Sequence, residues 1–194
     1  MLTQLSTVKS RLAIDEFDVK NDALLTTAIQ GISARFDKEC NRTFARAVDC
    51  VDEFTADDTE IRVACYHIET VSKFELKSNE SDGWIEQPEI EHLIRRNCVI
   101  SLTERLGNWR EQGRVTYTGG YVLPTDAEAA AGQTALPDDL EQAAVEQVVY
   151  WFQNRDHVGV IRQWPKGGVY QQFVDLDLLP SVRAALKEYE RWNM

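Results

Sequence analysis

The sequence is poor in side chains that do chemistry. Only three histidines occur in 194 residues, His67, His92 and His157, and they stand far apart. His67-Ile68-Glu69 has the HxE half of a zinc-deaminase site, but the PCxxC half is absent. Residues two apart on a strand share a face, so a surface hydrogen bond between His67 and Glu69 is the expected role. The four cysteines, Cys40, Cys50, Cys65 and Cys98, never form CxxC and match no common zinc spacing. They are expected to be reduced thiols that behave as small apolar residues. No serine lies in a GxSxG turn, and neither GxxxxGK[ST] nor GxGxxG occurs, so Gly119-Gly120 and Gly167-Gly168 read as turns. There is no apolar run long enough for a membrane span or a secretory leader, and synthesis in the cytoplasm is the expectation. Positive charge is short too. The 21 Lys and Arg face 32 Asp and Glu, and a net charge of −11 argues against gripping a phosphate backbone.

What the chain does have is periodicity. Ser6 or Thr7 is placed to cap a short first helix through Leu12, and the acidic connector DEFDVKND leads to Asn21 or Asp22 as the next cap. Leu25, Ala28, Ile29, Ile32, Phe36 and Cys40 recur at helical spacing as one apolar stripe, with Asn41 as a left-handed stop. From Val48 to Tyr121 the period drops to two. Ile61, Val63 and Cys65 alternate with Arg62, Ala64 and Tyr66; shorter alternations run through Val71, Phe74, Leu76 and through Cys98, Ile100, Leu102. SNESDG and GNWREQG separate them as turns. The last strand, RVTYTGGYV, stops where Gly119-Gly120 supply backbone freedom, and Asp126–Ala135 reads as a loop. Pro137 then sits at the first position of a helix with Asp138 and Asp139 at its positive dipole end. Pro180 opens a final amphipathic helix carrying Val182, Leu186, Tyr189 and Trp192.

These patterns predict an α+β fold of one domain, 1–194. Its helical frame has helices near 6–13, 22–40, 137–156 and 179–192. An antiparallel β-rich insertion of about four to six strands lies near 48–121, and an extended C-terminal segment and helix fill 159–194. Two features admit function. Asp49, Asp52, Glu53, Asp57, Asp58 and Glu60 place six acids in twelve residues. They read first as a solvated acidic edge that discourages strand aggregation. The alternative is the divalent-cation site of a small carboxylate-dependent hydrolase, although the DxDxDG spacing is missing. The aromatic-rich tail from Trp164 to Trp192 reads equally well as core covering the helices or as an interface reaching a neighbour.

Three segments, in order, resemble the gp6-like head–tail connector (adaptor) family of tailed phages. NDALLTTAIQGISARFDKECNRTF is similar to the family's D-x-LL-x-x-x-I…Cys-x-R-x-F helix; RVTYTGGYVLP with PDDLEQAAVEQVVYWFQNRD is similar to its strand–turn–helix; LLPSVRAALKEYERW is similar to its ending. Asn41 stands where the family often has Gly, and the β insertion and the 126–135 loop look longer than in compact members. The resemblance implies a structural virion protein, not an enzyme, with no cofactor. It implies a ring of about twelve copies beneath a dodecameric portal protein. Genome DNA would pass through the lumen without sequence-specific binding, and a head-closure (stopper) or tail protein would bind below. The chain would reside at the head–tail junction of the virion, reached from the host cytoplasm, with no membrane partner. The helices would form the ring wall, with Leu25, Ile29, Ile32, Phe36, Leu140, Val148 and Trp151 as their core positions. The C-terminal segment, with Trp164, Tyr170, Phe173, Leu178, Leu179, Tyr189 and Trp192, would reach the portal.

Overall fold

The computed structural model describes residues 1–126, 128–155, 162–163, 171–172 and 177–191. The fold is α+β, and the chain divides into two compact units. A helical unit joins Met1–Cys40 to Pro137–Glu190, and a β unit is formed by Asn41–Leu136 with Arg191.

The helical unit contains α1 (Leu5–Arg11), α2 (Asp22–Glu39), α3 (Asp138–Gln153) and α4 (Pro180–Leu186), the last continued by a 3₁₀ turn, Lys187–Tyr189. α1 packs on α2 and α3, and α3 packs on α2 and α4. The apolar stripe of α2 is the reason: Leu25, Ile29, Ile32, Phe36 and Cys40 are all buried, as are Leu140, Ala144 and Val148 of α3 and Val182 and Leu186 of α4. Asn41 adopts φ +49 just after α2, the left-handed stop expected of Asn there. A two-residue antiparallel pair, β10 (Arg162–Gln163) with β11 (Gln171–Gln172), lies between α3 and α4 in the chain.

Helix ends depart from the sequence reading in several places. α1 starts after Gln4, so Ser6 and Thr7 lie inside it; the helix stops at Arg11, and Ala13 turns left-handed at φ +55. Asn21 precedes α2 without a side-chain cap. Pro137 occupies the N-cap of α3, not the first helical position; its extended backbone feeds Asp138, Asp139 and Glu141 into the first turn. α3 ends at Gln153, where the Asn154 side chain donates to the Tyr150 carbonyl at 2.8 Å. The final helix is shorter than 179–192 because Glu190 is extended, with ψ 131°.

The β unit is two antiparallel sheets facing one core. One is four-stranded, ordered β1 (Ala47–Thr55), β7 (Gln112–Gly119), β3 (Ile68–Lys77), β4 (Ile85–Gln87). The other is three-stranded, ordered β2 (Glu60–Arg62), β6 (Val99–Leu102), β5 (His92–Arg95). Ile61, Ile100 and Leu102 from the small sheet meet Ile68, Phe74, Val115 and Tyr117 from the large one. β8 (Tyr121–Val122) pairs with β9 (Thr134–Ala135) in parallel, so the 126–135 segment ends in a strand and not wholly in loop.

Ile61, Val63 and Cys65 are all buried, as their alternation predicts, yet β2 ends at Arg62. Val63 N–H still donates to the Cys98 carbonyl at 3.4 Å, and beyond it side chains take the backbone donors. Ala64 N–H donates to Asp52 Oδ2 at 2.7 Å and Cys65 N–H donates to Tyr117 Oη at 2.8 Å. The Gly-Gly pair is explained by crowding. A Cβ at Gly119 would sit 2.4 Å from the Cys65 carbonyl oxygen, and Gly120 has φ +101 with the Ala45 carbonyl oxygen 2.6 Å from where its Cβ would be.

Candidate interaction surfaces

In the helical unit the chain around residue 178 is tied down by a buried amide. Gln147, fully buried in α3, donates from Nε2 to the Asp177 carbonyl at 3.2 Å and accepts the Leu179 N–H at 2.8 Å. Asp177 pairs with Arg35 of α2 and Arg183 of α4. The Leu178 N–H donating to its carboxylate, with these two guanidinium groups, holds the Asp177 carboxyl below its ordinary range. Leu178 is buried, Leu179 half-buried, and Tyr189 places its hydroxyl 2.8 Å from Asp139 Oδ1 at the start of α3. Trp164, Tyr170, Phe173 and Trp192 lie outside the described residues. Of the core positions on the helices, Leu25, Ile29, Ile32, Phe36, Leu140 and Val148 are buried, and Trp151 is half-buried.

The α1–α2 connector belongs to the same unit. Lys9, itself only 3% exposed, donates to the Glu16 carbonyl at 2.7 Å and pairs with Asp22 at 2.9 Å. Asp15 and Asp18 each accept a backbone N–H two residues on, from Phe17 and Lys20. The connector so held leaves Phe17 89% and Val19 72% exposed. The sequence showed this only as two apolar residues inside DEFDVKND.

In the β unit, Arg42 is buried among aromatic rings. Its guanidinium carbon lies 3.4 Å from the Tyr66 ring centre, 4.6 Å from Phe44 and 5.2 Å from Tyr121, and Nη2 donates to the Tyr66 carbonyl. Arg42 is the arginine of the Cys-x-R-x-F resemblance, but nothing in the sequence shows that it is buried among rings. Burial, then the Arg42 charge, holds the His67 imidazole below its ordinary range. His67 contacts the Tyr121 hydroxyl at 3.2 Å, whereas Glu69 makes a two-pronged pair with Arg46 at 2.8 and 2.9 Å. The expected His67–Glu69 bond is therefore replaced, because an arginine offers Glu69 the better-matched fork.

The six acids of 49–60 are not brought together. Asp49 sits at φ +56 in the bulge of β1. Asp52 turns inward to the Tyr117 hydroxyl at 2.6 Å, Asp57 and Asp58 lie in the β1–β2 turn, and Glu60 meets Arg95 across β2 and β5. Among the described residues no group of three or more His, Cys, Asp or Glu converges as a metal site would need. The Tyr117 hydroxyl is pushed up by burial and then by Asp52. Burial likewise pushes the Cys65 thiol up to about 12, so it is a protonated apolar residue and not a nucleophile.

Shallow clefts among the described residues of the β unit include ones of about 410, 580, 260 and 380 Å³. Carboxylates outnumber cations in each: Glu53 and Glu111 against Arg110 in the first, and Glu89, Glu91 and Glu104 against Arg105 in the last. The second sets Asp49, Glu75 and Glu86 against Lys73 and Arg114, and the third holds Asp126 and Glu128. None combines an apolar lining with converging catalytic groups. No helix among the described residues is long and apolar enough to cross a membrane.

The architecture is thus a helical frame with an inserted antiparallel β unit, without a catalytic constellation among the described residues. No protein-family profile matches the sequence, and no curated protein matches it. Among solved structures the chain is similar to a chain in the neck of an empty gene transfer agent (GTA) particle computed with C6 symmetry. The two are 12% identical with a TM-score of 0.58, covering 97% of this chain and 89% of that one. At this identity the likeness defines a shared fold.

Proposed function

We propose that this protein is a structural component of the neck of a phage-like particle. In our reading it is a head–tail connector (adaptor) that assembles as a ring of about twelve copies beneath the portal protein. The ring leaves a lumen for genome DNA and offers a surface to a head-closure or tail protein. The observation that carries this is the likeness to a GTA neck chain over nearly the whole of both molecules. The ordered sequence resemblance to the connector family and the separation of the acids of 49–60 into different surroundings support it. Trp164, Tyr170, Phe173 and Trp192 are the side chains we assign to the portal contact, with Leu178, Leu179 and Tyr189 anchoring that segment to the helical frame.

Electron microscopy of the full chain mixed with its cognate portal tests the reading. Rings, or portal particles extended by an added annulus, are expected. A chain that stays monomeric beside intact portal overturns it.

A further inference from the structure

The α1–α2 connector has the build of a contact element, not of a solvated loop. A loop that only spans two helices needs no buried charge. This one rests on the Lys9 ammonium, which is withdrawn from solvent, donates to the Glu16 carbonyl and is ion-paired with Asp22. Two side-chain-to-backbone turns, at Asp15 and Asp18, fix the chain between those anchors. The result sets Phe17 and Val19 outward, at 89% and 72% exposure, where a free monomer gains nothing from them. Fixing the shape beforehand lowers the ordering cost of a later contact.

We propose that this connector is a docking knob for a different protein, whose receiving surface is an apolar pocket rimmed by lysine or arginine. Charge selects the partner. Asp15, Glu16 and Asp18 flank the two apolar side chains and are exposed, as is Lys20 beside Val19, so the acids still prevail at the tip. A second copy carries the same net charge of −11 and on balance presents like charge to the knob. A cationic rim instead neutralises the three acids while the Phe17 ring fills the pocket. The inference stands on this chain's own residues and does not depend on the neck reading.

The test places a photo-cross-linking amino acid at Val19 of the full chain, expressed in the cell that produces it together with its natural partners. Cross-linked peptides are mapped by mass spectrometry. The expected product joins position 19 to apolar residues of another protein flanked by Lys or Arg. Phe17→Ala and Glu16→Lys are each expected to lower its yield about tenfold, as loss of a central contact or of charge complementarity does. Both variants are expected to melt within about 2 °C of the unchanged chain, since both side chains are exposed. A product joining two copies of this chain overturns the proposal. So does the absence of any intermolecular product, or a yield that neither substitution changes. Failure of the neck reading shows separately, as absence of the chain from purified particles.

Discussion

At the scale of single residues, the groups that matter most are polar atoms in apolar places. Gln147 is surrounded in sequence by Ala143, Ala144, Val145 and Val148, so its position on the buried face of α3 was readable, but its partners were not. They come from Asp177 and Leu179, some thirty residues further along the chain. Gln147→Ala leaves that carbonyl and that N–H unpaired in a closed interior and is expected to lower stability by about 2–3 kcal/mol, read by chemical denaturation. Gln147→Glu is expected to be at least as damaging, because a carboxylate cannot donate to the Asp177 carbonyl. The cysteines give a second expectation. Cys40 and Cys65 are buried and Cys65 is held protonated, whereas Cys50 and Cys98 are half-buried. A thiol reagent at pH 8 should leave Cys40 and Cys65 unmodified in the native protein and reach all four after denaturation. Rapid labelling of Cys65 in the folded chain would contradict the burial assigned to it.

At the scale of elements, the sequence disclosed the helices better than the sheets. The α2 stripe is a local pattern, complete within Leu25–Cys40, and so it was legible without knowing what packs on it. The β unit depends on distant choices: β7 inserts between β1 and β3, pairing Val115 with Asp52 on one side and Phe74 on the other. No alternation within one strand states that order. The same non-locality hid the end of β2, because the donors of Ala64 and Cys65 are taken by Asp52 and Tyr117.

Charge pairs between elements set the acid limit of the fold. The Arg114 guanidinium, aided by Lys73, holds Glu75 below its ordinary range across β3 and β7, and Asp177 is lowered likewise beside Leu178, Arg35 and Arg183. A carboxylate lowered in the fold adds stability that is fully present above its unfolded value and disappears as pH falls through the folded one. Stability is therefore expected to decline below about pH 4 from these groups. His67, lowered by burial, adds a separate loss beginning as pH falls through about 6.5, because the unfolded chain then takes up the proton first. Thermal melting from pH 8 to pH 3 checks the order of these losses. Glu75→Gln should reduce the acid-side slope, and an unchanged slope would remove Glu75 from the account. The closing segment is also an element-scale matter. Leu178, Val182 and Leu186 are buried in the helical unit, so deleting 178–194 is expected to lower helical content and cooperativity in circular dichroism, beyond any loss of a partner contact.

At the scale of the whole molecule, the net charge of −11 is the property that bears most directly on the proposed role. A channel component must admit a duplex and let it move. Each phosphate contact made by a cation releases counterions and adds holding energy, so a sliding surface is one that makes few. The described cations of this chain are in good part already engaged. Arg46, Arg114, Arg35 and Lys9 are paired with Glu69, Glu75, Asp177 and Asp22, and Arg42 is buried among aromatic rings. Pairing withdraws them from any polyanion, and the remaining carboxylates repel it. The assembled ring is therefore expected to show no retention of duplex DNA in a gel-shift or filter-binding measurement. That should hold even at about 0.05 M salt, where basic nucleic-acid binders are tightest. Retention that weakens steeply with added salt would mean a cationic face that these pairings do not leave, and the lumen reading would have to be withdrawn even if rings form. Absence of retention at every salt concentration, with rings present, is the outcome that the proposed lumen requires.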